Sequence, residues 1–324
     1  MLVVTGGAGF IGSAIVWRLN QLGENKIMIV DELGTGEKWK NLVGLNYSDF
    51  IHKDDFISMV LDDQVPFETE SVIHMGANSS TTEKDADYLL FNNYEYTREL
   101  AKYSVRKNIR FVYASSAATY GDGSLGFDDD EDLLEKLRPL NMYGYSKQMF
   151  DLWAKRNDLL KSIAGIKYFN VFGPNEYHKG DMRSVVHKAF EQINSTGKVR
   201  LFKSENPGYK DGEQKRDFIY VKDAVEMTIF LLKNKNVNGI FNVGAGEARS
   251  WNDLVYALFK ALNKPVNIEY IDLPDDLKEK YQYFTEANLD KIKKAGYTKP
   301  STKLEEGVTD YVKNYLTKNK YLGY

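Results

Sequence analysis

The pattern of apolar and polar residues predicts that strands and helices alternate along the first half of the chain. Short runs rich in β-branched residues, typical of strands, are separated by longer segments with apolar residues at helical spacing. Such alternation predicts a parallel sheet flanked by helices, whose buried strands read as unbroken apolar runs. The predicted strands are Leu2–Thr5, Lys26–Val30, Ser71–His74, Arg110–Ala114 and Ile163–Phe169, and the predicted helices are Phe10–Leu22, Tyr88–Lys107 and Met142–Arg156.

The second half of the chain has a different pattern. After about residue 170, Pro174, the glycine-rich stretch Asn206–Gly212 and several polar loops interrupt shorter elements. We therefore expect an α/β protein, with a Rossmann-type doubly wound parallel sheet in residues 1–170 and a smaller mixed α/β substrate-binding lobe in residues 171–324, from which the chain can cross back. The acidic run Phe127–Asp132 is expected to be a solvated loop, because like charges repel one another and favour water.

Composition narrows the class of protein. The chain has 324 residues, a net charge of −3 and no cysteine. The charge argues against a general nucleic-acid or membrane-surface binder, which would carry an excess of basic residues. Without cysteine there is no disulfide, cysteine nucleophile or thiolate metal site, and we predict no metal. The N-terminal segment lacks signal-peptide features and no apolar run reaches the roughly 18 residues of a membrane span, so we expect a cytoplasmic enzyme.

A glycine motif follows the first predicted strand and opens the first predicted helix. Residues 5–12 read TGGAGFIG. Gly6 permits the tight turn, Gly9 lets the backbone approach a pyrophosphate, and Gly12 lets the helix pack close to the sheet. The helix N-terminus offers free N–H groups and a partial positive charge to that anion. Asp31, at the end of the next strand, completes a dinucleotide-binding fingerprint.

The residues after this motif leave the identity of the dinucleotide open. A carboxylate such as Asp31 usually accepts a hydrogen bond from the ribose 2′-hydroxyl of NAD and repels the 2′-phosphate of NADP. Lys38 and Lys53 follow in the next segment, where they can bind such a phosphate. The local sequence is therefore compatible with either cofactor.

A candidate catalytic group lies on the predicted helix Met142–Arg156. Tyr143 and Lys147 are spaced so that both side chains lie on one helix face, one turn apart. Tyrosine, with an ordinary pKa of about 10, is protonated at neutral pH, but a lysine cation and an oxidised nicotinamide favour the phenolate, which can act as a base. Lys147 is also expected to hold the nicotinamide ribose. Upstream, Ser116 at the end of a predicted strand is the candidate hydroxyl for the substrate oxygen, and Ser115 is expected to be turned away.

Together these motifs resemble the extended short-chain dehydrogenases/reductases, and further segments resemble the ADP-L-glycero-D-manno-heptose 6-epimerases. The similarity covers nearly the whole chain. It implies a tightly bound NADP, an ADP-heptose substrate of the lipopolysaccharide inner core, and a homo-oligomer, which is a pentamer in the family. The segments that carry it read HMGANSSTTE (74–83), NNY (92–94), YFNVFGPNEYHKG (168–180), KRDFIYVKD (215–223), GIFNVGAGEARS (239–250) and LKEKYQYFTEANL (277–289).

The resemblance also implies a mechanism. Epimerisation at carbon 6 of the heptose requires that a proton and a hydride leave and that the hydride return to the opposite face of the resulting ketone. An acid/base is therefore needed in each of two substrate orientations. Tyr143 serves one orientation, and Lys179 matches the family's second acid/base. An ammonium group buried beside a nicotinamide can have its pKa lowered enough to exchange protons.

Other contacts of the family carry over position by position. Lys188 departs from the family pattern, because histidine is often found at that position and here His187 precedes it. The implied cofactor contacts are Phe10, Ile11, Asp31, Glu32, Lys38, Lys53, Met75, Gly76, Ala77, Asn78, Ser79, Asn92, Lys147, Val171 and Lys179, and the implied substrate contacts are Asn170, Asp181, Lys188, Phe202, Lys203, Ser204, Glu205, Arg216 and Tyr281.

Three other functions compete with this interpretation. A UDP-hexose 4-epimerase shares the serine, tyrosine and lysine, but Lys179 and the SSTTE segment favour the heptose enzyme. A nucleotide-sugar 4,6-dehydratase needs an acid beside the strand-end hydroxyl, where this chain has Ala117 and Ala118. A non-catalytic dinucleotide-binding protein would not need the tyrosine, lysine and serine together. The fold alone does not distinguish between these functions.

Overall fold

The fold is built around a large parallel sheet. A computed structural model describes residues 1–275 and 281–324. Its strands are β1 (Leu2–Thr5), β2 (Ile27–Asp31), β3 (Asp49–His52), β4 (Ser71–His74), β5 (Arg110–Ser116), β6 (Ala164–Tyr168), β7 (Asn170–Phe172), β8 (Val199–Phe202), β9 (Lys215–Tyr220), β10 (Gly239–Val243), β11 (Ala248–Ser250) and β12 (Ile268–Ile271). Seven of them form a sheet of order β10-β6-β5-β4-β1-β2-β3, in which all pairs are parallel. The predicted Rossmann-type fold is confirmed.

Helices flank this sheet. The α-helices are α1 (Phe10–Gln21), α2 (Lys53–Leu61), α3 (Ala86–Leu89), α4 (Tyr96–Arg106), α5 (Met142–Arg156), α6 (Val185–Thr196), α7 (Val221–Lys233) and α8 (Trp251–Ala261), with shorter ones at Asp290–Lys294 and Leu304–Asp310. Short 3₁₀ turns lie at Lys38–Leu42, Ala117–Tyr120, Glu131–Lys136, Leu159–Lys161, Tyr177–Met182 and Leu316–Lys318, and π-helical turns at Leu90–Glu95 and Tyr311–Tyr315. Within residues 1–275 and 281–324, no helix has the length and apolar character needed to cross a membrane.

The predicted helix Tyr88–Lys107 differs from the observed one in a way that matters for the site. The helical segment begins at Ala86 and is interrupted by the π-helical turn Leu90–Glu95. A π turn inserts an extra residue into the helix and is frequent at functional sites. Here it contains Asn92, which faces the cleft described below, and Asn93, whose Oδ1 accepts a hydrogen bond from the Asn78 amide at 2.9 Å.

Close packing on both faces explains why the central strands are apolar throughout. Every residue of β1 and β2 is buried, and Val4 and Ile29 have no exposed surface. The carboxyl ends of the parallel strands meet at one edge of the sheet, since Thr5 is in register with His74 and Ser116 with Tyr168. In open α/β sheets ligands bind outside this edge.

The later part of the chain contributes two small sheets. β9 pairs in parallel with β7 and antiparallel with β11, and β12 pairs in parallel with β8. β10 pairs with β6 and so lies in the large sheet. The proposed division into residues 1–170 and 171–324 stays a prediction.

The expectation of a solvated acidic loop at Phe127–Asp132 is wrong for two of its residues. Phe127 and Asp129 are buried, at 8% and 3% exposure. Asp129 Oδ2 accepts a hydrogen bond from the backbone amide of Asn242 in β10 at 2.8 Å, and burial raises the pKa of Asp129 to about 6. The run packs against the edge strand of the large sheet, because that strand has backbone donors that need an acceptor.

Candidate active site

A cleft of about 1300 Å³ lies over the carboxyl ends of β1, β2, β4 and β5 and is closed on the other side by residues of the later part of the chain. Every residue predicted to hold the cofactor or to take part in catalysis lines this cleft. Of the predicted substrate contacts, Asn170, Arg216 and Tyr281 also line it. Folding therefore brings together residues that are far apart in the sequence.

The glycine motif forms one wall of the cleft and fits a dinucleotide. Gly6 has a positive φ of 65°, and a Cβ atom there would lie 2.6 Å from the backbone nitrogen of Gly76. A Cβ at Gly12 would overlap the carbonyl oxygen of Gly6. Helix α1 begins at Phe10 without a side-chain cap, so its first N–H groups face the cleft unblocked by a side chain. Only glycines allow this close approach, which suits a pyrophosphate group at the helix N-terminus.

The carboxylate of Asp31 is held by the protein itself. Oδ2 accepts from the amide of Ala8 at 2.8 Å, and Oδ1 accepts from the amide of Glu32 at 2.8 Å and from Lys38 Nζ at 2.5 Å. Lys53 Nζ lies 3.5 Å from the carboxylate of Glu32. Two acidic and two basic side chains therefore meet at the end of β2, and Lys38 balances the charge of Asp31.

The predicted catalytic pair lies on α5, which Asn141 caps by accepting a hydrogen bond from the Gly144 amide at 2.8 Å. Burial raises the pKa of Tyr143, and a hydrogen bond with Ser116 opposes that rise by favouring the phenolate. Lys147 Nζ donates to the carbonyl oxygen of Ala114 in β5 at 2.8 Å. Burial lowers the pKa of Lys147 to about 8.

The two serines at the end of β5 have different surroundings. Ser115 Oγ donates to Asp151 at 2.7 Å, and the same carboxylate accepts from the Tyr113 hydroxyl at 2.9 Å and pairs with the buried Lys167 at 3.4 Å. Ser116 Oγ accepts from the amide two residues further on at 3.1 Å and interacts with the candidate tyrosine. The hydroxyl of Ser116 therefore lies beside the candidate tyrosine, and that of Ser115 belongs to the contact between α5 and the sheet.

Lys179 enters the same cleft from the 3₁₀ turn Tyr177–Met182. Its Nζ lies 5.5 Å from the centre of the Phe10 ring, within cation–π range, and burial lowers its pKa. Asn41 Nδ2 donates to the carbonyl oxygens of Ala8 at 2.9 Å and Asn175 at 3.0 Å, which ties the residues just before this turn to the glycine motif. The lysine is thereby placed next to the dinucleotide wall.

The far end of the cleft is aromatic and positively charged. The guanidinium of Arg216 lies between the rings of Trp251 and Tyr281, at 5.6 Å and 5.3 Å from their centres. Trp251 Nε1 donates to the Tyr281 hydroxyl at 3.1 Å, which fixes the second ring. Arg216 Nη1 donates to the carbonyl oxygen of Lys215 at 2.8 Å and Nη2 to that of Gln282, and the N–H groups that remain are suited to a phosphate.

Six predicted substrate contacts do not line the cleft. Lys188 Nζ donates to the carbonyl oxygen of Asp181 at 3.0 Å, and Lys203 forms an exposed ion pair with Asp272 at 2.9 Å. Their role in binding stays a prediction, as does the beginning of the segment 277–289, where Leu277–Lys280 lies outside the described residues. The six residues are Asp181, Lys188, Phe202, Lys203, Ser204 and Glu205.

Other residues line the cleft without having been predicted, among them His178, Phe218 and Trp251. Burial and the charges of Lys38 and Lys179 lower the pKa of His178 to about 4, so the imidazole is neutral. The position of His178 next to Lys179 in the sequence could have indicated that it lines the cleft. Phe218 had no such signal, because an aromatic residue in an apolar run is usually part of the core, and Trp251 is a single aromatic residue between Ser250 and Asn252.

The parallel sheet, the glycine cradle and the tyrosine–lysine pair define an enzyme that uses a nicotinamide dinucleotide. The chain belongs to the NAD dependent epimerase/dehydratase family, whose model matches residues 2–244. Within that family the chain is similar to curated proteins named ADP-L-glycero-D-manno-heptose-6-epimerase, which confirms the predicted resemblance.

These relatives align with nearly the whole chain. The enzyme of Nitratidesulfovibrio vulgaris strain DP4 is 58% identical over 316 residues, covering 98% of each sequence. That of Fusobacterium nucleatum is 50% identical over 327 residues, again covering 98% of each. The crystal structure of the Helicobacter pylori enzyme superimposes with a TM-score of 0.82 at 28% identity, covering 97% of this chain and 95% of that one.

Proposed function

We propose that this protein is an ADP-L-glycero-D-manno-heptose 6-epimerase that interconverts the D-glycero and L-glycero epimers of ADP-heptose in lipopolysaccharide inner-core synthesis. The observation that carries the proposal is that Tyr143 and Lys179, two acid/base candidates on separate elements, line one cleft together with the dinucleotide cradle. The 58% identity to an enzyme of that name supports the same activity.

The proposed mechanism assigns one task to each side chain. A bound nicotinamide supplies hydride acceptance and return at carbon 6 of the heptose. Tyr143 exchanges the proton of the 6-hydroxyl in one orientation of the sugar tip, with Ser116 hydrogen-bonded to it. Lys179 exchanges that proton in the other orientation. The charge of Lys147 favours the phenolate of Tyr143 and is available to the ribose of the cofactor.

The same cleft offers a place for the nucleotide half of the substrate. Arg216 is buried and held between two aromatic rings, which excludes water and strengthens its interaction with a diphosphate. We assign the ADP group to this end and the heptose to the region between Tyr143 and Lys179.

NADP is the cofactor that we propose, bound tightly and retained through turnover. Both oxygens of Asp31 already accept hydrogen bonds, so the carboxylate has little capacity left for a ribose 2′-hydroxyl. Lys38 lies beside Asp31 and Lys53 beside Glu32, and both are suited to a 2′-phosphate. Denaturing the purified protein and weighing the released nucleotide by mass spectrometry tests this, and mainly NAD would return Asp31 to its usual role.

The activity is tested by incubating the protein with ADP-D-glycero-D-manno-heptose without added cofactor and following the 6-epimer. We expect interconversion of the two epimers. Conversion of UDP-glucose to UDP-galactose in its place would identify a UDP-hexose 4-epimerase. Lys179→Met should slow epimerisation severely while leaving dinucleotide binding intact, because the glycine cradle is untouched. Epimerisation by Lys179→Met at the wild-type rate would contradict the two-base mechanism and favour a single tyrosine that serves both faces.

We also propose a cytoplasmic location and a homo-oligomeric state for the enzyme. A chain with no cysteine has no need of an oxidising compartment, and the resembled family forms oligomers. Sedimentation of the purified protein at several concentrations measures the oligomeric state, and a monomer throughout would contradict the second part of the proposal.

A further inference from the structure

The loop from Gly173 to Ser184, which we call the Lys179 loop, is closed by one buried carboxylate. Glu176, with 1% of its surface exposed, accepts from the amide of Gly173 at 3.4 Å and from the amide and hydroxyl of Ser184 at 2.5 Å and 2.6 Å. Those donors belong to the first and last residues of the loop. Burial raises the pKa of Glu176, and these three donors oppose that rise by favouring the ionised carboxylate.

Glu176 also acts on Lys179 directly. The amide of Lys179 donates to the carbonyl oxygen of Glu176 at 3.0 Å, which fixes the backbone of the lysine. Burial lowers the pKa of Lys179, and the charge of Glu176 opposes that shift. Within residues 1–275 and 281–324, Lys179 makes no ion pair, so this carboxylate acts on it through space.

We propose that Glu176 is a positioning residue: its buried carboxylate closes the Lys179 loop and keeps Lys179 protonated, so that the lysine can donate a proton in the second substrate orientation. The inference rests on the proposed function, since it takes Lys179 as the second acid/base. It assigns Glu176 no contact with the substrate.

The other groups around this pair do not titrate near neutral pH. Burial raises the pKa of Tyr311, which packs on Glu176 from the C-terminal helical segment, and that of Tyr177 on the loop. His187 of α6 lies 3.1 Å from the Tyr311 hydroxyl, and its pKa is lowered to about 4. On the cleft side, His178 is neutral for the same reason, and Lys38 is paired with Asp31. A limb of the pH–rate profile that depends on Lys179 therefore reports the lysine.

Glu176→Gln tests the proposal, because it keeps the size of the side chain and removes its charge. The readout is kcat for epimerisation against pH, in both directions, with the purified holoenzyme. We expect the limb that Lys179→Met abolishes to move to lower pH by about one unit, the low end of the effect of a nearby opposite charge. On the alkaline side, where Lys179 is the donor, this corresponds to about a tenfold loss of kcat with little change in KM.

Two further variants separate charge from structure. Ser184→Ala removes one donor to Glu176 but leaves its charge, so the limb should stay in place even if the enzyme is less stable. Adding Glu176→Gln to Lys179→Met should cost no further activity, because a residue that acts through Lys179 has nothing left to act on. If Glu176→Gln does not fold, Glu176→Asp carries the test, and the limb should shift in the same direction but by less.

The outcomes distinguish this inference from the proposed function. A uniform loss of kcat at every pH, or an additional loss in the Lys179→Met background, would show a merely structural role and overturn the inference alone. The inference is supported if Glu176→Gln shifts the pH limb and if adding Glu176→Gln to Lys179→Met causes no further loss of kcat. If Lys179→Met itself is fully active, the two-base mechanism fails and this inference falls with it.

Discussion

The two ends of the cleft differ in how their residues are placed. On the dinucleotide side, every residue predicted from the sequence lines the cleft. In the later part of the chain, Arg216 and Tyr281 line it, whereas the predicted stretch Phe202–Glu205 does not. The motif residues of the first group lie at or just after the ends of strands of the large sheet, or on α5. Arg216 lies in β9 and Phe202 at the end of β8, both in the small sheets, whereas residues 203–205 lie in the loop that follows β8. The sequence therefore predicts the site best where elements of the large sheet carry its residues.

The physical reason lies in the register of the sheet. Parallel pairing aligns Thr5 with His74 and Ser116 with Tyr168, so neighbouring strand ends converge whatever their separation in the sequence. The loop after β8 has no such constraint. There the backbone amide of Ser204 donates to Asp211 at 2.8 Å, so contacts within the loop set its conformation.

The largest effect is expected at the dinucleotide end. Tyr143→Phe removes only the ionisable oxygen, so kcat should fall by about 10²–10⁴-fold, the usual contribution of a positioned acid/base. Tyr145→Phe is the matched control, because Tyr145 is on the same helix and is 57% exposed, and its kcat should be unchanged. Steady-state kinetics measures kcat of both variants, and circular dichroism checks that they are folded. Near-normal turnover by folded Tyr143→Phe would show that Tyr143 is not the catalytic acid/base.

A smaller effect is expected at the substrate end. Arg216→Ala should raise KM for ADP-heptose by about 10–100-fold, since a hydrogen bond to a charged group contributes about 1.5–3 kcal/mol. The control is Arg200→Ala, an exposed arginine of β8 that pairs with Glu269 at 3.3 Å. Separate determination of kcat and KM measures the effect. An unchanged KM in Arg216→Ala would show that the nucleotide does not bind at this end of the cleft.

The smallest effect is expected outside the cleft. Lys203→Ala removes an exposed ion pair with Asp272, and exposed pairs contribute little to stability because water screens them, so KM and thermal stability should change little. The measurement is KM for ADP-heptose beside a melting curve. A clear rise in KM without loss of stability would show that the loop closes onto the substrate and would restore Lys203 as a contact.

The parts of the site that depend on local chemistry can be predicted from the amino-acid sequence. A few neighbouring residues are enough to interpret each of these features, because turn geometry and helix periodicity are short-range. They are the glycines at 6, 9 and 12, the strand that ends at Asp31, and the spacing of Tyr143 and Lys147. β1, β4 and α5 were predicted with their observed bounds. The resemblance to a family added the role of Lys179, which its own surroundings in the sequence did not indicate.

Tertiary structure alone decided the contacts between distant segments. It buried Asp129 against β10, placed Arg216 between Trp251 and Tyr281, and closed the Lys179 loop on Glu176. No periodicity in the sequence signals these contacts, since each depends on where two separately folded segments pack. A buried polar group must find its partner wherever the fold brings a donor or acceptor, and that partner is known only once the chain has folded.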